Sequence, residues 1–164
     1  DEVERLADAA NEDGDVIRLL AYTGLRFGEM AALRVRRIDF LRRRLTIAEA
    51  VTEVGGRLEF GTPKTHQRRT VPLPATLAES LARHCAGKQG DDLLMATASG
   101  TVLRLRNWRR AVFDPAVRTA GLSDVTPHDL RHTAASLAVA SGATVKSVQR
   151  MLGHASAAMT LDVY

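Results

Sequence analysis

The spacing of apolar residues changes twice along this chain of 164 residues, and that double change limits the fold more than any other feature. In the first third, apolar residues recur at three- and four-residue intervals, which predicts helices over Val3 to Ala10, Val16 to Tyr22 and Phe27 to Leu33. From Val35 the pattern shortens to β-prone runs: Arg44 to Ile47, Ala50 to Val54, Arg57 to Phe60 and Arg69 to Leu73. Gly55-Gly56 joins the second and third of these as a hairpin turn, and Gly61-Thr62-Pro63-Lys64 separates the last two, placing Lys64 at or near a turn. Helical spacing returns after Pro74, over Ala75 to Cys85 and then Arg106 to Ala120, despite Pro115. Thr126-Pro127-His128-Asp129 is a helix start, with Thr126 as cap, Pro127 in the first helical position and Asp129 three residues after the cap. That helix ends near Ser141-Gly142, a shorter one runs from Thr144 to Leu152 and stops at Gly153, and a last one begins near Ser156. The expected fold is α+β: one mostly helical domain over residues 1–164 with a small antiparallel sheet.

This length suits one compact domain with a real core, and 45% hydrophobic with 26% charged residues is an ordinary globular balance. No apolar run approaches bilayer length and no signal-peptide pattern opens the chain. The single cysteine, Cys85, excludes an internal disulfide framework, so an intracellular setting is expected. Net charge is +4, compatible with a polyanionic partner without demanding one. The type of basic residue says more: 20 Arg stand against 3 Lys, and a planar guanidinium grips phosphate through two hydrogen bonds where an ammonium cannot. GC-rich coding also raises Arg, so clustering carries more weight. Arg34, Arg36, Arg37, Arg42, Arg43 and Arg44 form one group; Arg104, Arg106, Arg109 and Arg110 form another around Trp108.

Six scattered residues are of the types a metal-free phosphodiester transfer needs: Arg26, Lys64, His128, Arg131, His154 and Tyr164. In that reaction negative charge builds on the non-bridging oxygens, the nucleophile is poor, and the leaving alkoxide needs a proton. Fixed cations address the first problem, and Arg26 and Arg131 are the candidates. His128 and Arg131, three apart, share one helix face, and His128 lies in the first turn, where backbone N–H groups favour an anion. A phenol near pKa ~10 must lose its proton, which makes Tyr164 a candidate nucleophile and His128 its candidate base. His154 could donate a hydrogen bond to the phosphate, and Lys64 could protonate the departing oxygen. The same segment supports a zinc reading, because His128 and His132 are four apart with Asp129 between them. Asp129 is better explained as a cap, and a third ligand would have to come from His66, His84, His154, Cys85 or a distant carboxylate, so neither a metal nor a cofactor is expected.

The wording around these positions resembles the tyrosine recombinases, the phage integrase family, in a form similar to integrases of actinobacterial phages and prophages. The segments are TGLRFGEM around Arg26, TPKTHQRRTVPL around Lys64, HDLRHT around His128 and Arg131, and LGHASAAMTLDVY at the end. The resemblance covers essentially the whole chain. It implies that Tyr164 attacks DNA to give a 3′-phosphotyrosyl link and a free 5′-hydroxyl, and that Arg26, Lys64, His128, Arg131 and His154 are catalytic. It also implies that Glu29, in R-x-x-E, supports the site, while His132 is read from its place in the segment as a packing or hydrogen-bonding residue rather than a catalyst. Double-stranded DNA at attachment sites is the implied partner, engaged by a synapsed homotetramer, with a directionality factor and a host bending protein as further candidates and a bacterial cytoplasmic setting. Arg104, Arg106, Asn107 and Arg109 are candidate DNA contacts. The chain is expected to be the C-terminal catalytic domain alone, without the N-terminal core-binding and arm-binding domains or the tail beyond the nucleophile. The His154–Tyr164 interval is one residue longer than in the commonest members. Two other readings remain open on the sequence: a type IB topoisomerase-like relaxing enzyme, and a DNA-binding module without catalysis.

Overall fold

In the computed structural model, residues 1–65 and 67–162 are described. Helices α1 (Glu2–Ala9), α2 (Gly14–Thr23) and α3 (Phe27–Ala31) open the chain. α1 packs on α2, its Leu6 and Ala7 buried against Ile17 and Leu20 in the main core. α2 ends at Gly24, whose left-handed φ of 71° turns the chain where a side chain would be strained. The third helix is shorter than its apolar spacing predicts. Ala32 caps it, and the chain leaves toward β1 (Ile38–Asp39).

The expected β region forms two small sheets instead of one. β1, β2 (Arg44–Ile47) and β5 (Arg69–Pro72) make a three-stranded antiparallel sheet, while β3 (Ala50–Val54) and β4 (Arg57–Gly61) make a separate hairpin. In the first sheet Leu45 faces Val71 and Ile47 faces Arg69. Leu45, Ile47 and Val71 are buried, so alternate residues of β5 point into the protein. In the hairpin Val54 pairs with Arg57 across Gly55 and Gly56, both at positive φ, the backbone that a two-residue primed turn requires.

Helix α4 (Ala75–Cys85) lays Leu77, Ala78 and Leu81 on the core. Helical structure resumes at α5 (Leu105–Trp108), passes through a π turn at Arg109–Phe113 and continues as α6 (Asp114–Thr119). The wide turn answers to Pro115, which has no N–H to bond the carbonyl four residues earlier and whose ring would collide with it. Trp108 and Phe113 bury their rings on either side of that turn, 5.4 Å apart.

Helix α7 (Pro127–Ala140) begins as expected: the backbone N–H and hydroxyl of Thr126 donate to Asp129 at 2.7 and 2.6 Å, and Asp129 N–H donates back to Thr126 O at 3.0 Å. The small Ala134 and Ala135 are buried and let α2 and then α8 (Val145–Leu152) lie close against it. Gly153 ends α8 in the left-handed region, and α9 (Ala157–Leu161) follows, capped by Ser156. Among the described residues no helix is long and apolar enough to cross a membrane.

Candidate active site

The corner where α2 ends, α3 and α7 begin and α8 stops collects most of the singled-out residues. Its anchor is Arg131. The side chain leaves the first turns of α7, is buried to 4% exposure, and donates to the carbonyls of Gly24 and Leu152. Those carbonyls belong to the C-terminal caps of α2 and α8, where helices leave acceptors without intrahelical partners. One guanidinium therefore ties three helices together, and its five N–H donors allow it to brace the fold and meet an oxyanion as well. Close approach at Gly24 is part of the arrangement, since a Cβ there would lie 2.6 Å from Leu152 Cδ2.

Arg26 stands at the start of α3. Its backbone N–H donates to Glu29 Oε2 at 2.9 Å and its Nη1 to Glu29 Oε1 at 3.3 Å, so the R-x-x-E spacing is a capping interaction and an ion pair at once. Glu29 is 1% exposed. A second arginine that the sequence reading passed over, Arg69 of β5, takes both oxygens of Glu29, at 2.9 and 2.8 Å. Burial pushes the Glu29 carboxyl up, but the hydrogen bonds and charge of Arg69, then Arg26, outweigh it and hold it below its ordinary value. The signal for Arg69 was present in the strand: it lies two residues from buried Val71 and therefore on the same, inward face.

The two candidate imidazoles face this cationic corner. His128 sits exposed in the first turn of α7 with its ring edge-on to His132, centroids 4.9 Å apart. Partial desolvation first, then the charges of His132, Arg131 and Arg26 against that of Asp129, push its pKa below 6.5. His154 follows Gly153, and its Nδ1 pairs with the hydroxyl of buried Thr160 at 2.9 Å, which orients the ring. Desolvation, then Arg131, Arg26, Arg69 and His132, push its pKa down too. Both shifts favour the neutral ring, which can accept a proton at one nitrogen and donate an N–H from the other. Thr160 is the second residue that sequence reasoning missed; nothing in a lone threonine near the end of the chain marks it.

The remaining candidates are placed differently. Lys64 is exposed in the turn after β4 and is not among the leading charges acting on either imidazole. Tyr164 lies outside the described residues, as does His66. Arg104 is bound to Glu53 and to the Gly56 carbonyl, tying the start of α5 to the β3–β4 hairpin, and Arg109 is paired with Asp114. Arg106 and Asn107 are exposed on α5. Among the described residues no three His, Cys, Asp or Glu side chains come together as a metal-binding group.

The depressed His128 pKa has a measurable consequence. The unfolded chain takes up this proton before the folded one does, so the contribution to stability is present above 6.5 and is lost as pH falls through the lower folded value. If neutral His128 acts as a general base, the acid limb of the reaction it assists should be centred below 6.5 at subsaturating substrate. A pH–rate profile of that reaction checks this, and a limb centred at or above that value would contradict it.

A family model described as "Phage integrase family" matches residues 1–164. The chain is 29% identical over 163 residues to a tyrosine recombinase XerC of Staphylococcus aureus (strain MSSA476), covering 96% of this chain and 50% of the relative. It therefore spans about half the length of the relatives it matches. Among solved structures, a XerA recombinase superposes with a TM-score of 0.79 at 27% identity, covering 99% of this chain and 57% of that one. An integrase of the Tn1549 transposon, in complex with a circular intermediate DNA, gives 0.85 at 21% identity over 98% of this chain and 58% of that one. The catalytic domain of bacteriophage HP1 integrase gives 0.68 at 21%, over 99% and 82% respectively. The last two likenesses speak for the fold alone.

Proposed function

The chain belongs to the phage integrase family, and from that premise we propose that it is the catalytic domain of a tyrosine recombinase that cuts and rejoins DNA at specific sites. The observation that carries this reading is the convergence of Arg26, Arg131, His128 and His154 on one corner, two guanidinium groups beside two imidazoles whose pKa values burial and then these charges push down. Such a corner fits a phosphodiester. Arg26 and Arg131 oppose the charge that develops on the non-bridging oxygens, and His154 donates to one of them. The Tyr164 oxygen attacks phosphorus while His128 takes the phenol proton, and the bond from phosphorus to the 5′ oxygen breaks. Lys64, on its exposed turn, protonates that oxygen as it leaves, giving a 3′-phosphotyrosyl link and a free 5′-hydroxyl. Reversal by a 5′-hydroxyl from another duplex completes strand exchange. The bond energy is conserved in the ester, so the transfer needs no high-energy cofactor.

On the same reading the partner is double-stranded DNA carrying attachment sites. The XerA, XerC and Tn1549 relatives support this by name, being recombinases or an integrase solved with DNA. We assign the working assembly as a homotetramer on synapsed sites in the bacterial cytoplasm, with accessory directionality and bending proteins acting on the DNA. Glu29 and His132 are supporting residues of the site, and exposed Arg106 and Asn107, more than the tied Arg104 and Arg109, are the DNA contacts of α5. Phosphate contacts of this kind make affinity fall steeply with salt.

The test is a nicked duplex bearing the attachment core of the parent element, incubated with the chain in EDTA and analysed under denaturing conditions. A covalent adduct whose mass-mapped attachment is a 3′-phosphate on Tyr164 is the expected result. Absence of any adduct, also in a longer chain carrying the neighbouring domains, or attachment at another residue, would overturn the reading.

A further inference from the structure

One buried charge at the site has no part in the chemistry so far. Arg69 is 8% exposed in its side chain and spends its whole guanidinium inside the protein: Nη1 and Nη2 on the two oxygens of Glu29, Nε on the Met151 carbonyl at 2.8 Å. The three-group set of Arg26, Glu29 and Arg69 is unequal. Arg69 meets Glu29 in a two-pronged fork at 2.8–2.9 Å, whereas Arg26 offers one Nη at 3.3 Å and keeps a quarter of its side chain exposed. With Arg69 present the set carries a net charge of +1, and without it the set is neutral. Arg69 also reaches the last turn of α8 and passes so close beneath Gly153 that a Cβ there would lie 3.0 Å from its Nη1. His154 is the next residue.

We propose that Arg69 is a positioning residue of the strand-cleavage reaction: it saturates the Glu29 carboxylate so that Glu29 orients Arg26 without neutralising it. This rests on the strand-transfer reading above. Two physical arguments support it. A buried carboxylate with a single cationic partner draws that partner in as tightly as it can, because nothing else offsets its desolvation. Here the bidentate fork is the stronger partner, as guanidinium–carboxylate forks generally are. Arg26 is left with its backbone N–H and one longer bond, oriented but still charged toward solvent and the phosphate.

The test compares wild type, Arg69→Met, Glu29→Gln, the double variant and Arg69→Lys for rate of covalent adduct formation and for DNA affinity. Arg69→Met should slow cleavage by about 10²-fold, the scale expected when a catalytic group is misplaced, with DNA affinity unchanged. Once the Glu29 charge is gone, the Arg69 charge has nothing to balance. The double variant should therefore cleave close to the rate of Glu29→Gln and faster than Arg69→Met, with the gain in cleavage rate standing at matched melting temperature, whereas a purely structural pair would couple through stability alone. Arg69→Lys, which keeps the charge without the fork, should fall between wild type and Arg69→Met. If Arg69→Met does not fold, Arg69→Lys still decides, because it keeps a cation beside Glu29 and would have to cleave as fast as wild type if the fork did not matter. A double variant much slower than Glu29→Gln, or an Arg69→Met chain as fast as wild type, would overturn the role alone. A wild-type chain that forms no adduct would overturn the strand-transfer reading, and this role with it.

Discussion

Arg131→Met should cost both stability and catalysis, and by separable amounts. The substitution fills much of the same volume but leaves the Gly24 and Leu152 carbonyls without their guanidinium donors, in a corner sealed by Leu152, Ala134 and Leu130. An orphaned buried acceptor costs about 1–3 kcal/mol, and two of them are large against a total stability of about 5–15 kcal/mol. On the proposed chemistry the same residue opposes charge on the phosphate, and loss of one such preorganised donor lowers rate by about 10²–10³. Arg131→Lys separates the two effects. An ammonium preserves the positive charge but cannot span two carbonyls with a planar fork, so it should recover part of the rate and less of the stability. Urea unfolding and single-turnover adduct formation read the two quantities. An Arg131→Met chain as stable as wild type would remove the strut role, and one that cleaves as fast would remove the catalytic role.

Gly28→Ala should be nearly as damaging, although Gly28 has no functional group. A Cβ at this position would stand 2.4 Å from the Val51 carbonyl oxygen, a backbone atom of β3 that cannot rotate away. Helix α3 and the β3–β4 hairpin would have to separate, with overpacking penalties of about 1–3 kcal/mol. Gly28 lies between Arg26 and Glu29, so the displacement goes straight into the corner proposed to hold the phosphate. A shift of ~1 Å at such a site can cost about 10² in rate. Gly61→Ala is the control: a Cβ there meets nothing within 4 Å, so neither melting temperature nor adduct rate should change. A Gly28→Ala chain indistinguishable from that control would show that the contact between α3 and β3 does not hold Arg26 in place.

Much of the fold was legible because local chemistry and global structure agree. The capping of α7 by Thr126 and Asp129, the Gly55-Gly56 turn and the stop at Gly153 are each decided within a few residues, and each stands where the spacing placed it. Two expectations needed revision for reasons of longer range. The β runs divide into two sheets because β2 pairs with β5 rather than with its neighbour β3, a choice made by the burial of Leu45, Ile47 and Val71. The helix expected over Arg106 to Ala120 survives Pro115 only by widening into a π turn held by Trp108 and Phe113.

The site divides in the same way. Local spacing determined by itself that His128 and Arg131 share one helical face and that Glu29 stands three residues from Arg26, and the residue types are those that the proposed phosphodiester chemistry needs. Both relations join residues three apart and follow from the helix repeat. Only the tertiary structure decided that Arg131 is buried as a tie between the ends of α2 and α8, that Arg69 balances Glu29, and that Thr160 orients His154. The partners Arg69 and Glu29 are 40 residues apart in sequence, and Arg131 and Gly24 are 107. No periodicity spans such distances. What joins them is the cost of burying a charge or a carbonyl without a partner, which is felt only once the helices have packed.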